Sequence, residues 1–178
     1  MLPIIKKIEN LEGLDAEQRA LFALFETLGV AHDTYEHPPI FTVEEGIALD
    51  LPSLIPGQHG KSLFLTNKDG GFWLVVACEE TRVDLKGLSD RLATKRFSFA
   101  KPEEMVAKIG VTPGSATPFA LMNNADKSVR VVVEECFKDA EYCVFHPLRN
   151  THSTVVRVED LLRFIRHLGY EPHLLPLA

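Results

Sequence analysis

The sequence predicts a single α+β domain with a mixed, largely antiparallel, barrel-like sheet flanked by helices. Two apolar runs, 61–66 and 72–78, are separated by Asn67-Lys68-Asp69-Gly70-Gly71, whose turn chemistry predicts an antiparallel hairpin. Three further strand-like stretches, 128–135, 142–145 and 153–158, follow one another without intervening helices, which argues against a doubly wound parallel sheet. Helical patterns gather instead towards the two ends. With 178 residues and 46% hydrophobic content, the chain can bury a full core. No repeat, low-complexity run or linker divides it, so the expected unit is one domain over 1–178 with its core at about 21–168.

Asp15-Ala16-Glu17-Gln18 has the form of a capping box, and Leu21, Phe22, Leu24, Phe25 and Leu28 recur at helical spacing until Gly29 stops them. Tyr35 to Pro39 is expected to be extended, because a residue before proline is pushed out of the helical region. A second box, Thr42-Val43-Glu44-Glu45, opens a short helix to about Leu49, and the Pro- and Gly-rich 51–60 reads as a loop. Helices are expected over 84–92 and 102–109, the latter entered through Pro102 and ended by Gly110. Leu161, Leu162, Ile165 and Leu168 put one apolar face on a last helix, 159–168, closed by Gly169.

Composition limits the function. The net charge of −6 opposes non-specific coating of nucleic acid, and no DNA partner is expected, although a local basic patch could still grip a few phosphates. Residues 1–8 lack the order of a signal peptide, and no apolar run approaches the roughly 20 residues that span a bilayer, so a cytoplasmic protein without a membrane partner is expected. Cys78, Cys136 and Cys143 lie beside apolar residues without Cys-x-x-Cys spacing, which reads as three reduced, packed thiols rather than a disulfide or a zinc site.

The stretch 111–124 mixes Pro113, Gly114 and Pro118 with buried-type residues Phe119, Leu121 and Met122. Proline and glycine exclude a regular helix or central strand, so it reads either as a plain connector or as a polar loop walling a pocket. Lys61 would stand at the mouth of a buried strand, able to pair with a phosphate or carbonyl oxygen, or simply to reach water along its stem. His146, before Pro147 at a strand end, could donate a hydrogen bond, shuttle a proton or cap its turn; Asn150 could orient a ligand or bond its own backbone. The other histidines are scattered without metal-ligand spacing, which reads as surface or capping roles. Lys86, Arg91, Lys95, Arg96 and Lys101 form either a solvated face or a phosphate-tracking patch. No Gly-x-Ser-x-Gly elbow, Walker loop or Gly-x-Gly-x-x-Gly is present.

Taken together, 60–65, 110–119 and 145–151 resemble the YbaK/prolyl-tRNA synthetase editing-domain superfamily, in particular its free-standing ProX branch of Ala-tRNA(Pro) deacylases. The similarity runs from about Leu21 to about Leu168. It implies a hydrolase that clears mischarged alanine from the proline tRNA, the second sieve of an editing scheme, without metal or other cofactor. The implied partners are the tRNA(Pro) 3′ end and prolyl-tRNA synthetase. In this family the strand lysine binds near the terminal adenosine and its phosphate, which falls on Lys61; the Gly-x-x-x-Pro loop falls on Gly114 and Pro118, and the histidine before proline on His146. The expected site is thus Lys61, Gly114 and His146 for catalysis, with Ser115, Thr117, Pro118 and Asn150 binding substrate. Asn124 stands where many relatives carry an acidic residue, and Ala120 where some carry glycine. A Cys-tRNA(Pro) deacylase of YbaK type, or a non-catalytic module holding a tRNA end or a partner protein, are the competing readings.

Overall fold

A computed structural model describes residues 5–178; residues 1–4, part of the stretch read for a leader, lie outside the described residues. In chain order the strands are β1 (Lys6–Lys7), β2 (His32–Glu36), β3 (Gln58–Thr66), β4 (Phe72–Cys78), β5 (Ser98–Phe99), β6 (Val129–Glu134), β7 (Tyr142–Phe145), β8 (His152–Arg157) and β9 (His173–Leu175). The helices are α1 (Ala16–Leu28), α2 (Val43–Ala48), α3 (Leu51–Leu54), α4 (Leu85–Arg91), α5 (Pro102–Ile109) and α6 (Val158–His167). The sheet runs β1-β2-β8-β7-β3-β4-β6-β9, with β5 on the end of β3. Its pairings are antiparallel except β3–β7, β4–β6 and β6–β9, so it is mixed and largely antiparallel, as expected. Among the described residues, β1 and β9 are the two ends of this path.

Local chemistry accounts for most boundaries. Asp15 and Gln18 exchange side-chain and backbone hydrogen bonds at the start of α1, as do Thr42 and Glu45 at α2, which satisfies N–H groups that helix starts leave unpaired. Gly29 ends α1 at φ +66, a left-handed conformation that costs a residue with a Cβ. The hairpin joins β3 to β4 with Lys61 opposite Ala77. Expectation fails over 51–60, which is not a plain loop. Pro52 falls in the first turn of α3, where its missing N–H is harmless, and Gln58–His59 already pairs in parallel with Cys143–Val144.

The parallel β4–β6 pairing also overturns the expectation of three reduced thiols. It brings the end of β4 alongside the end of β6, and Cys78 and Cys136 form a disulfide with Cα atoms 6.9 Å apart. Their separation of 58 residues gave no spacing motif. Cys143 alone is free, and buried. Glu134 lies beside the disulfide, its carboxylate accepting from the Cys78 N–H at 2.7 Å and the Thr81 hydroxyl at 2.8 Å.

The main core unites α1, α6 and the sheet. Phe119, 1% exposed, meets Phe25 edge-on at 5.2 Å and Phe164 at 5.7 Å between ring centroids. Burying such a ring contributes roughly 1.5–3 kcal/mol, so Phe119 anchors the 111–124 stretch firmly against the core. The pocket-wall reading of that stretch has a rigid base.

Candidate active site

Beside the middle of β3 the surface opens into a cleft of about 240 Å³. Its walls include Lys61 and Ser62 of β3, Gly114 and Ala116 of the 111–124 stretch, His146 after β7, and Phe41 before α2. Three segments far apart in sequence thus meet around one cavity. Gly60 permits the approach: a Cβ there would lie 2.2 Å from the Phe145 ring, so β3 passes Phe145 only because the side chain is missing.

Thr112-Pro113-Gly114-Ser115 forms a tight turn in which Ser115 N–H donates to Thr112 O at 3.0 Å. Proline second and glycine third, with Gly114 at φ +89, is the type II pattern. Among the described residues, the N–H groups of Gly114 and Ala116 donate to no protein acceptor, and both residues face the cleft. Two unoccupied backbone donors in one turn suit an oxygen that gains negative charge. A Cβ on Gly114 would come 2.9 Å from Phe41 Cδ1, so the bare glycine also keeps the entrance clear.

The Lys61 ammonium donates to the Thr81 carbonyl, which holds the half-buried side chain in place at the cleft wall. His146 Nδ1 is 2.7 Å from the His152 carbonyl. A carbonyl can only accept, so Nδ1 carries the proton and Nε2 is left as an acceptor. Burial pushes the His146 pKa down to about 4, helped by the neighbouring His37, His59 and His152, and the ring is neutral at neutral pH. The histidines that looked scattered in sequence are therefore partly gathered: the His37 and His146 rings lie 6.0 Å apart. His37 Nε2 lies 2.9 Å from Ser153 Oγ and His59 Nε2 2.8 Å from Ile55 O, which are structural attachments.

Lys61, Gly114 and His146 are brought together; the other expected site residues are not on the cleft surface. Ser115 and Thr117 are buried, 3% and 0% exposed, and Pro118 is buried at the start of a 3-10 turn over Pro118–Asn123. The Thr117 hydroxyl accepts from Phe119 N–H at 3.4 Å and caps that turn. Asn150 stands one layer back: its Nδ2 donates to Ile40 O at 2.8 Å, and Ile40 N–H returns a bond to Asn150 O at 3.2 Å. This clamp holds the Phe41 side of the cleft in place. Asn124 and Ala120 are likewise off the cleft; the Asn124 Oδ1 accepts from Val129 N–H and the Tyr170 hydroxyl, a packing role.

Two lining residues had no signal in the sequence. Ser62 Oγ is buried without a hydrogen-bond partner among the described residues. Glu79, just past β4, is half-buried at the cleft, and burial, with Glu80 adding and Lys61 opposing, holds its carboxyl above the usual range. Glu79-Glu80 reads in sequence as an ordinary acidic pair at a strand end; only the fold turns one member inward.

The model of the family described as "Aminoacyl-tRNA editing domain" matches residues 37–164. The chain is 33% identical over 155 residues to prolyl-tRNA synthetase associated domain-containing protein 1 of Bos taurus, covering 83% of this chain and 88% of that one. It is 29% identical to the prolyl-tRNA editing protein ProX of Acetoanaerobium sticklandii, covering 88% and 94%. The fold matches, with a TM-score of 0.68 at 20% identity over 93% of this chain and 99% of the other, a crystal structure described as a candidate trans-editing enzyme for prolyl tRNA synthetase. A cleft with an anchored cation and free backbone donors, in a chain matched this widely, leads to one conclusion: the chain belongs to the aminoacyl-tRNA editing domain family and is an aminoacyl-tRNA deacylase.

Proposed function

We propose that the chain removes alanine from mischarged Ala-tRNA(Pro), correcting an error of prolyl-tRNA synthetase in trans. The observation that carries this reading is the meeting of Lys61, the free N–H groups of Gly114 and Ala116, and neutral His146 around one cleft. The names of the bovine and ProX relatives support the prolyl connection.

Lys61 pairs with a phosphate of the tRNA 3′ end and sets the register of the ester in the cleft. The Gly114 and Ala116 N–H groups hold the ester carbonyl and receive the charge that develops on its oxygen when water adds. The free hydroxyl of the terminal ribose assists that water, since His146 at a pKa of about 4 is too weak a base to lead the step at neutral pH. His146 Nε2 accepts a hydrogen bond from the substrate amine instead. An aminoacyl ester is already activated, so position and oxyanion stabilisation supply much of the acceleration. Phe41, Met105 and Phe145 crowd the space next to the acyl group and exclude large side chains. Ser115, Thr117, Pro118 and Asn150 serve by holding the loop and the clamp rather than by touching substrate.

Release of amino acid from Ala-, Cys- and Pro-tRNA(Pro), measured side by side, tests the reading. It expects alanine to be freed fastest and proline to be spared. Preference for cysteine would assign the chain to the YbaK type, and release of none would refute deacylation of tRNA(Pro).

A further inference from the structure

Glu79 places a carboxylate on the cleft that the mechanism above does not use. Among the described residues it makes no ion pair and no side-chain hydrogen bond, although Lys61 lines the same cavity. The Lys61 ammonium is turned to the Thr81 carbonyl instead. The Glu79 Oε1 lies against the middle of α2, 3.7 Å from where a Cβ on Gly46 would stand, so the carboxylate is on the α2 side of the cavity. The cleft therefore offers one cation and one anion that are not joined in a direct ion pair. The end of an aminoacyl-tRNA carries the opposite pair, a phosphate and an α-ammonium.

We propose that the Glu79 carboxylate is the counter-ion of the substrate α-ammonium, and that the cleft selects aminoacyl esters with a free amine. This rests on the deacylase reading and names the feature of the acyl group that the site requires. A partly desolvated carboxylate is stabilised by an arriving cation, which fits a group that burial has made costly to ionise. His146 Nε2, an acceptor without a proton, adds a second contact of the right polarity to the same ammonium.

The test uses the full chain, wild type and Glu79→Gln, on two substrates: alanyl-tRNA(Pro), and lactyl-tRNA(Pro) made from it by nitrous acid deamination, in which a hydroxyl replaces the ammonium. Comparing variant with wild type on each substrate cancels the intrinsic difference in ester reactivity. Loss of a charge-assisted hydrogen bond is expected to lower kcat/KM for the alanyl ester roughly 10- to 100-fold and to leave the lactyl ester within about 3-fold. Retained lactyl hydrolysis also shows that the variant folds. An equal loss on both substrates, or an unchanged alanyl rate, overturns the assignment of Glu79 while leaving the deacylase reading intact. If wild type cleaves neither ester, the deacylase reading falls and takes this assignment with it.

Discussion

Gly114→Ala is the substitution whose outcome follows most directly from the geometry. Gly114 sits at φ +89, a region in which a residue with a Cβ is strained, at roughly 1–2 kcal/mol by the usual left-handed penalty. The new Cβ would also lie 2.9 Å from Phe41 Cδ1 and 3.4 Å from Asn150 Nδ2. Phe41 is 65% exposed and its ring can swing aside, so the contact costs little stability, but it fills the cleft entrance. The backbone term sets the stability loss, and at about 2–4 °C per kcal/mol the melting temperature should fall by roughly 2–8 °C. Activity should fall further. Whether the turn keeps its shape with a methyl group in the entrance or rotates to relieve φ, the Gly114 and Ala116 N–H groups no longer serve the ester, and loss of an oxyanion donor costs about 100-fold or more in kcat. The assays are thermal unfolding and alanine release from Ala-tRNA(Pro). A second variant, Phe41→Ala with Gly114→Ala, removes the contact but not the strain and should remain defective. A Gly114→Ala protein with wild-type melting temperature and rate would refute the role given to this turn.

Acid should destabilise the fold well above the carboxylate range. His32, His37, His59, His146 and His152 are all held below the ordinary histidine value, in each case chiefly by burial. The unfolded chain therefore binds more protons, and stability is complete above about pH 6.5 and lost as pH falls towards the folded value. For His146, at about 4, the loss at pH 5 is about 2 kcal/mol. Glu79, raised by burial, works in the opposite sense but is one group against five. Equal urea midpoints at pH 7.5 and pH 5 would contradict this. The Cys78–Cys136 bond predicts that the denatured chain takes up one iodoacetamide, at Cys143, without reductant and three with it. Three without reductant would count against the disulfide. Reduction should lower stability by about 4 kcal/mol, the cross-link entropy of a loop this long.

Features set by neighbours in sequence were legible before the structure. The capping boxes at Asp15 and Thr42, the Asn67–Gly71 reversal and the glycine stops at 29, 110 and 169 act over a few residues, and each appears where its local chemistry requires. The type II turn at Gly114 rests on equally local chemistry, proline followed by glycine, but in sequence the stretch reads only as a connector or a pocket wall. Features set by pairing across the sheet were not legible. The disulfide, the inward turn of Glu79 and the gathering of His37 with His146 depend on which strands lie side by side. Ser115, Thr117 and Pro118 show a subtler limit. Small polar residues beside a pocket glycine read as ligands, but Phe119 pulls the segment into the core and turns them away from the cleft.

Catalytic turnover of a mischarged proline tRNA is the activity proposed for the Lys61 cleft. It is tested by mixing Ala-tRNA(Pro) with a trace of the chain, far below the substrate concentration, and following alanine release to completion for wild type and Lys61→Ala. Wild type should clear all of the ester over many turnovers, and Lys61→Ala should be slower by roughly 10- to 100-fold, the worth of a charge-assisted contact to phosphate. An ester that survives, or is protected in proportion to the protein added, would identify a binding module. Equal rates for the two proteins would remove Lys61 from the site.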